Sequence, residues 1–542
     1  MPQTWRSRLA AWPARVGGWP TSRVLGGLLV LFCAWIVMDL RVFHVGNGLS
    51  RSTYDVMVRS RLWAAPPDPR IVIVDIDEAS LARMSGEFGR WPWPRDTLAT
   101  ALAYLEGQQP AAIAWDILFA DPDRLSPGGD AAFDAQVAAG RRSHFSVVRL
   151  PASNDGASQL TQAQLPGLWA SPAQGAAPAT VALIPPALPA VAAAPLGLTN
   201  ATPDEDGVIR RHAAGERLAD GGVLQSLPLA VLGSLDPAAA RARTEALRAA
   251  PPGAMPLVAW RHKEGAYPRI SFADLFAAAE GQPGAAPLPP LAGKVVVIGA
   301  TAPALHDLHA TALSARQPGV ETLATLIDNE LNARHVAELP AAVQAALAMA
   351  LCASIAWRMR FRSLAALDAA LVAVPGALMA VSFASLHTDR LFLDLQMAAG
   401  WTLGFLALVR LWAGWRRAHW CAPPAAAAPL AVWPLRAGAA GWSEAGVSRL
   451  ILALERQAPA CRLLLPASGP HAWPALSRLA AVVGPAAELA QALDRLARGL
   501  DGEVAAGALH PVPEGAGTGR MLEAAAQAWA AQGLAPHKES LA

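Results

Sequence analysis

The sequence predicts a multi-domain membrane protein with an α/β domain outside the membrane, four transmembrane helices and a small cytoplasmic α/β domain. Three observations support this fold class: four apolar segments, the distribution of arginine around them, and alternating strand and helix patterns between the first and second segments. Hydrophobic residues make up 53% of the chain and charged residues only 16%, which is too apolar for a soluble protein of 542 residues. The net charge of +2, without a basic run, gives no sign of nucleic-acid binding.

Each apolar segment approaches the roughly 20 residues that a helix needs to cross a bilayer. The segments cover residues 24–40, 339–357, 364–386 and 391–412. The first also has features of a cleavable signal peptide. The long segment before it and the absence of a small-residue cleavage site after it favour an uncleaved anchor instead.

Arginine distribution predicts the orientation, because loops rich in arginine stay in the cytoplasm. Arginines precede the first segment, fill the loop between the second and third, and follow the fourth: Arg6, Arg8, Arg15, Arg23, Arg358, Arg360, Arg362, Arg416 and Arg417. Residues 387–390, between the third and fourth segments, contain no such cluster. We therefore expect residues 1–23 and the C-terminus inside, and residues 41–338 outside.

Strand and helix signals alternate within residues 41–338. The β-branched run Ile71–Ile76 predicts a strand that is buried on both faces. A helix is predicted over residues 97–107, with Asp96 as its N-cap, followed by a strand over residues 111–119. A strand, a helix and a strand at this spacing predict a parallel βαβ unit.

Later segments complete the predicted outside domain. Residues 294–300 predict another buried strand and residues 318–331 a closing helix, so a mixed or mostly parallel sheet flanked by helices is expected. Residues 151–195, rich in Ala, Pro and Gly, predict a long, weakly ordered excursion. The cysteines all lie elsewhere in the chain: Cys33, Cys352, Cys421 and Cys461. No disulfide is therefore expected to stabilise the outside domain.

Acidic residues lie at the ends of the first two predicted strands. Asp75, Asp77 and Glu78 end the first strand, and Asp116 lies towards the end of the second. In open α/β sheets, ligands bind at the carboxyl ends of the strands. These four residues are therefore predicted to belong to a ligand-binding site.

Aromatic and basic residues extend this candidate site. Trp91 and Trp93 alternate with prolines, which stiffens the segment, so they would either present an aromatic wall to a ligand or pack over the sheet edge. Arg95, Arg210 and Arg211 would pair with the strand-end carboxylates or with an anionic ligand, and structural ion pairing is the alternative.

Asp307 lies between His306 and His309, which have metal-ligand chemistry. One short cluster without a distant third partner does not predict a metal site, so Asp307 is retained only as a ligand-binding candidate. No nucleophile–base arrangement is recognisable in the outside domain. The domain is therefore predicted to bind a ligand rather than catalyse a reaction, with no catalytic residue, metal or cofactor.

The C-terminal part begins with a Pro/Ala-rich linker over residues 421–441, followed by a small domain over residues 442–542. The patterns predict, in order, a helix, a strand, two helices, a strand and a helix, over residues 443–457, 461–466, 473–483, 486–500, 503–510 and 521–532. The motifs of protein kinases, histidine kinases and nucleotidyl cyclases do not occur in it. Residues 503–533 weakly resemble the tail of a GGDEF domain, which would imply a degenerate, non-catalytic remnant.

Seven motifs occur in order through the outside domain, at residues 75–84, 89–98, 114–123, 203–211, 270–275, 293–307 and 318–324. They begin with DIDEASLARM and GRWPWPRDTL and end with GKVVVIGATAPALHD and PGVETLA. Together they resemble the type-two CHASE family of extracellular sensory domains attached to bacterial cyclases and histidine kinases. Members of that family have one span before the sensor and three after it.

The resemblance implies a multi-pass sensor in the bacterial inner membrane. It would detect an unidentified extracytoplasmic ligand and pass the signal to a cytoplasmic signalling protein by direct contact, with a homodimer as a further option. The alternatives are a diverged, cyclase-like enzyme that handles nucleotides and a membrane assembly scaffold.

Overall fold

The computed structural model describes residues 16–124, 126, 128–171, 180–251, 253–261, 265–359, 364–422, 429–437, 442–465, 479–498, 504–512, 521, 524, 527, 528 and 531. Five arginines of the predicted orientation lie outside these residues, namely Arg6, Arg8, Arg15, Arg360 and Arg362. The chain forms two compact units. The sheet unit comprises Arg51–Leu339 and Ser382–Asp394, and the helix unit comprises Met1–Ser50, Pro340–Val381 and Leu395–Ala542.

The elements up to the end of the main sheet unit are α1 (Thr21–Met38), α2 (Val45–Arg59), β1 (Ile71–Ile76), α3 (Glu78–Phe88), α4 (Arg95–Gly107), β2 (Ala112–Trp115), α5 (Gly129–Ala139), β3 (Ser143–Arg149), β4 (Trp169–Ser171), β5 (Leu183–Ile184), α6 (Pro189–Ala193), β6 (Leu196–Leu198), β7 (Gly215–Arg217), β8 (Val223–Gln225), α7 (Leu227–Leu235), α8 (Pro237–Ala249), β9 (Leu257–Val258), β10 (Arg269–Ser271), α9 (Phe272–Ala279), β11 (Val295–Ala300), β12 (Leu308–His309), β13 (Gln317–Pro318), α10 (Gly319–Leu331) and β14 (His335–Glu338).

The remaining elements are α11 (Ala341–Met359), α12 (Leu364–Leu386), β15 (Leu391–Phe392), α13 (Gln396–Trp420), β16 (Leu430–Arg436), α14 (Glu444–Gln457), β17 (Arg462–Leu464), β18 (Leu479–Pro485), α15 (Ala486–Arg498), β19 (Ala505–Ala506) and β20 (His510–Pro511).

A mostly parallel sheet organises the sheet unit, as the sequence predicts. The strand order is β10-β1-β11-β2-β3, and β3 pairs in parallel with β6 and antiparallel with β5. β1 and β2 run parallel but are not neighbours, because β11 lies between them and pairs with both. All six residues of β1 are buried, which explains its continuous β-branched run.

Helices cover both faces of this sheet. On one face, α4, α5 and α9 contribute Leu102, Phe133 and Phe272 to the larger core. On the other face, α7 and α10 contribute Val231 and Ile327 to a second core. Strands covered on both faces are characteristic of parallel α/β sheets.

The predicted weakly ordered excursion over residues 151–195 is wrong for the part that the structure describes. β5, α6 and two short 3-10 helices form there, and six of its apolar side chains enter the larger core: Leu165, Leu168, Val181, Leu183, Leu188 and Val191. Arg149 fixes the segment through Asp155, with Nη1 and Oδ1 2.6 Å apart. The frequent alanines and prolines concealed this spaced apolar pattern.

Two boundaries near the sheet edge also differ from the prediction. α4 begins at Arg95 because Pro94, with a φ of −53°, occupies the N-cap position. Asp96 therefore lies in the first turn and is not the N-cap. β2 ends at Trp115, so Asp116 is the first residue beyond the strand.

Among the described residues of the helix unit, four helices are long and apolar enough to cross a membrane: Thr21–Phe43, Ala341–Arg358, Leu364–Leu386 and Gln396–Trp420. The last begins five residues later than the segment predicted from residue 391. Leu391 and Phe392 instead form β15, which belongs to the sheet unit and pairs in parallel with β14.

The C-terminal part contains a sheet that the sequence only partly predicts. Its order is β17-β18-β16, with β19 and β20 both paired to β16, and all pairs are antiparallel. The succession β16-α14-β17-β18-α15-β19 with this order is the split βαβ topology. β16 lies within the predicted linker of residues 421–441, and residues 479–483 form a strand rather than the end of a predicted helix.

Pro434 explains why β16 escaped the prediction. A proline argues against a central strand because it has no N–H to donate. The strand forms nonetheless because its alternate side chains fill two cores, Trp433 and Leu435 in one and Leu430 and Val432 in the other.

Candidate ligand-binding site

A cavity of about 270 Å³ lies at the carboxyl edge of the parallel sheet. Asp116 after β2, Ser146 in β3 and Thr199 after β6 line it from the sheet, and Asp307 lines it from the segment that follows β11. A second cavity, of about 760 Å³, also has Asp116 and Asp307 in its lining. The two carboxylates therefore lie beside both cavities, which agrees with the usual position of ligand sites in open α/β sheets.

Asp116 is half-buried, and its backbone N–H donates to the Ile298 carbonyl at 2.8 Å. Among the described residues, no group donates a hydrogen bond to its carboxylate. The pKa of Asp116 is raised to about 7, mainly by burial and also by the nearby Asp307 carboxylate, whereas His309 opposes the shift. This carboxyl group therefore titrates near neutral pH.

Asp307 is held against the first residue of α10. The Gly319 N–H donates to the Asp307 carbonyl at 3.0 Å, and a Cβ at position 319 would overlap both carboxylate oxygens of Asp307. His309 Nε2 lies 3.3 Å from Asp307 Oδ1, and this contact raises the pKa of His309. Gly299 in β11 is similarly tight, since a Cβ there would lie 3.0 Å from Asp116 Cβ. Glycine at both positions makes room for the two carboxylates.

Asp75 has a different environment from Asp116, although both lie at strand ends. Thr301 Oγ1 donates to Asp75 Oδ1 at 2.7 Å, and Arg269 Nη1 lies 3.3 Å from Oδ2. Burial raises the pKa of Asp75, and the contacts with Thr301 and Arg269 oppose that shift. Arg269 also pairs with Glu321 on α10. Asp75 is thus engaged within the protein and is not in the lining of either cavity.

Asp77 and Glu78 have local partners. The Asp77 carboxylate caps α3, accepting from Ser80 N at 2.7 Å and from Ser80 Oγ at 2.6 Å. Glu78 is exposed and accepts from Ala304 N at 3.4 Å. Neither residue lines the two cavities. The structure therefore separates Asp75, Asp77 and Glu78 from Asp116, with which the sequence grouped them.

Trp91, Trp93 and Arg95 line the larger cavity and also pack on the protein. Trp93 is buried, with its ring centroid 5.1 Å from that of Phe272 and 5.0 Å from that of Trp91. The Arg95 guanidinium lies 4.5 Å from the Phe119 ring centroid, and its Nε is 3.8 Å from Asp130. The aromatic wall and the sheet-edge packing are thus combined in one segment.

Arg210 does not meet the strand-end carboxylates. It is buried among Asp55, Asp204 and Asp206, with ion-pair distances of 2.7, 2.9 and 2.8 Å. Asp55 precedes Arg210 by 155 residues, so the sequence did not indicate the pair. Structural ion pairing, the alternative interpretation, describes this arginine.

Arg211, which the sequence grouped with Arg95 and Arg210, lines the smaller cavity but pairs with other carboxylates than those at the strand ends. Its Nε and Nη2 donate to Glu338 in β14 at 2.8 and 2.7 Å, and its Nη1 donates to Asp204 at 2.8 Å. His212 and Asn200 line the same cavity. The adjacent arginines at the end of the motif PDEDGVIRR, at residues 203–211, were the available signal, but nothing in the sequence distinguished the roles of these two arginines.

Two further arginines of the sheet unit bind near the chain segments that lead to the apolar helices. Arg61 Nη2 lies 2.6 Å from Asp389, in the loop between α12 and α13. Arg261 Nη2 lies 2.9 Å from Asp328 on α10. Together with Arg210 and Arg211, these two arginines pair with carboxylates from α2, the loop at residues 204–206, α10, β14 and the α12–α13 loop.

Within the described residues, no group of three His, Cys, Asp or Glu side chains is arranged to hold a metal ion. Comparison with protein families found that the model of the CHASE2 domain matches residues 29–357, more than half of the chain. Searches of curated proteins and of solved structures found no match.

Proposed function

Because the chain belongs to the CHASE2 domain family, we propose that it is a transmembrane sensor that binds an extracytoplasmic ligand beside Asp116 and signals to a cytoplasmic protein partner. CHASE2 is a family of sensory domains. The four apolar helices and the arginines that flank them support a multi-pass protein of the bacterial inner membrane, with both termini in the cytoplasm.

The proposal rests on Arg211, which both lines the cavity and forms an ion pair with β14. Its side chain lines the cavity and binds Glu338, which lies three residues before the start of α11. A ligand that displaces Arg211 therefore acts directly on the strand that leads into the second apolar helix. To switch the protein, that ligand must bind one arrangement of these residues more tightly than the other.

Contacts within the helix unit connect two apolar helices, α1 and α13, to α14 of the C-terminal part. Glu455 on α14 accepts from Thr21 N at 2.5 Å and from Thr21 Oγ1 at 2.7 Å, at the start of α1. The same carboxylate lies 3.4 Å from Arg416 Nη2, near the end of α13. Movement of α1 relative to α13 would thus change how α14 is held. Since the sequence lacks kinase and cyclase motifs, we propose that the C-terminal part signals through protein contact.

The test is to purify the full-length protein from its own membranes in nanodiscs and identify co-purifying molecules by mass spectrometry. We expect a stoichiometric cytoplasmic signalling protein, whose amount changes in Arg211→Gln and not in the exposed control Arg217→Gln. Saturable, magnesium-dependent nucleotide binding without a protein partner would contradict the proposal. It would favour the second candidate, a diverged enzyme that handles nucleotides, to which the split βαβ topology lends support.

A further inference from the structure

We propose that the cavity beside Asp116 binds a small organic cation, a primary ammonium compound with an apolar body, through the carboxylates of Asp116 and Asp307. This inference rests on the proposed sensor function and specifies the ligand class of the same site.

The charges around the cavity favour a cation. Arg211 uses Nε, Nη1 and Nη2 in hydrogen bonds to Glu338 and Asp204, so its positive charge is already neutralised within the protein. Burial lowers the pKa of His212 to about 4, which keeps that ring neutral at physiological pH. The two carboxylates remain, with His309 beside one of them. Among the described residues that line the cavity, no unpaired cation is left to bind an anionic ligand beside these carboxylates.

The carboxylates are built into the fold. Asp116 is fixed by its backbone hydrogen bond to β11, and Asp307 by its contact with Gly319 at the start of α10. Because Gly299 and Gly319 leave no room for side chains of their own, the positions of both carboxylates depend on these two glycines. Such a preorganised pair binds an ammonium group without a large ordering cost.

The rest of the lining fits a small amphipathic body. Val148, Leu198, Ile209 and Leu323 provide apolar surface. His212 also lines the cavity, and its Nε2 atom is buried without a hydrogen-bond partner among the described residues. The volume of about 270 Å³ lies just below the roughly 300–1,000 Å³ of sites for drug-sized molecules, which indicates a small ligand.

Binding should depend on pH. The ammonium group needs an ionised Asp116, which is present above pH 7 and is lost as the pH falls through about 7. His309, whose pKa is raised by its contact with Asp307, adds a positive charge beside that carboxylate when it is protonated. Arg211 and His212, the other titratable groups of the lining, keep their charge states there. Affinity is therefore expected to rise between pH 6 and pH 8.

The experiment measures ligand binding to the full-length protein in nanodiscs by isothermal titration calorimetry at pH 8 and pH 6. The probes are methylammonium, butylammonium, ethanolammonium and putrescine, with butanol and butyrate as neutral and anionic matches for butylammonium. At least one ammonium probe should bind, and more tightly at pH 8 than at pH 6. Butanol and butyrate should not bind. Asp116→Asn and Asp307→Asn should each weaken that binding by about tenfold or more, and the surface control Asp274→Asn should not change it.

Equal binding of butanol, unchanged affinity in Asp116→Asn, or no binding by any ammonium probe would overturn the cation assignment. The pH dependence of the unmodified protein tests the same idea if a variant fails to fold. A separate measurement, hydrogen exchange at residues 335–338 with and without the bound probe, reports on signalling. Binding without a change there would contradict the sensor mechanism and leave the cation site intact.

Discussion

Asp75 lies near the end of β1 and Asp116 directly follows β2, and burial raises the pKa of both, but their hydrogen-bonding partners differ. Thr301 and Arg269 bind the Asp75 carboxylate, whereas no described residue donates to that of Asp116. An acidic group without a compensating partner destabilises the folded protein when it is ionised. Groups of this kind are concentrated at functional sites, where the cost is offset by binding.

The first prediction concerns Asp116→Asn. A carboxyl pKa that is higher in the folded than in the unfolded state stabilises the protein below the unfolded value of 3.8, and this contribution is lost as the pH rises through about 7. The substitution should therefore raise the stability at pH 8, on the order of 2 kcal/mol after allowance for partial exposure. Thermal unfolding in nanodiscs from pH 4 to pH 8 measures this. A variant that is less stable than the unmodified protein at pH 8 would contradict it.

The second prediction concerns Asp75→Ala, which leaves Arg269 and Thr301 without their shared partner. We expect a loss of roughly 1–3 kcal/mol in the free energy of unfolding, the typical effect of an unsatisfied buried polar group. Urea unfolding monitored by tryptophan fluorescence gives the value. Glu78→Ala is the control, since Glu78 is exposed and its substitution should change stability by less than about 0.5 kcal/mol. Similar losses in both variants would show that Asp75 has no special structural role.

Asp116 and Asp307 were predicted as site residues and both line the two cavities, but their position near Arg211 was not predicted. Strand-end position can be predicted from a β-branched run, because the hydrophobic pattern marks where the strand stops. The partners of Arg210 and Arg211 come from positions up to 155 and 127 residues away, and no local pattern encodes such pairs. Asp75 was grouped with Asp116 because both follow strands. Only the three-dimensional contacts show that Asp75 has hydrogen-bond donors and that the Asp116 carboxylate has none among the described residues.

At the scale of elements, continuous apolar strands were predictable and interrupted ones were not. β1 and β11 have β-branched residues at nearly every position and were predicted closely. β16 contains a proline and β18 is rich in alanine, so both lacked the expected strand composition. Their burial between two cores overrides these weak local preferences. β6 likewise lies at the end of the alanine-rich stretch, which is why Thr199 and Asn200 were not predicted to line a cavity.

The third prediction addresses β14. Glu338→Gln keeps the shape of the side chain but removes the charge that pairs with Arg211, so the end of β14 should open more often. Hydrogen exchange should become faster at residues 335–338, by about tenfold for an opening that costs roughly 1.4 kcal/mol less. Glu245→Gln, at an exposed pair with Arg248, is the control and should leave that exchange unchanged. Unaltered exchange in Glu338→Gln would remove Arg211 as the link between cavity and strand.

At the scale of the whole molecule, the arrangement across the membrane is the main expectation that needs a direct test. We predict that residues 41–338 lie outside and the C-terminal part inside. In a background without the four native cysteines, Ser153→Cys should react with a membrane-impermeant maleimide in intact cells. Arg498→Cys, on the exposed side of α15, should react only after the cells are permeabilised. Labelling of Arg498→Cys in intact cells would contradict the proposed orientation.

The pairing of β14 with β15 connects the segment that enters α11 to the segment that joins α12 to α13. Ala337 N donates to the Arg390 carbonyl at 2.9 Å, and Leu339 N donates to the Phe392 carbonyl at 3.3 Å. β14 runs directly into α11, while β15 joins α12 to α13. A piston-like displacement of α11 alone would break these backbone hydrogen bonds. A displacement of α11 that keeps these hydrogen bonds must therefore also move the segment that joins α12 to α13.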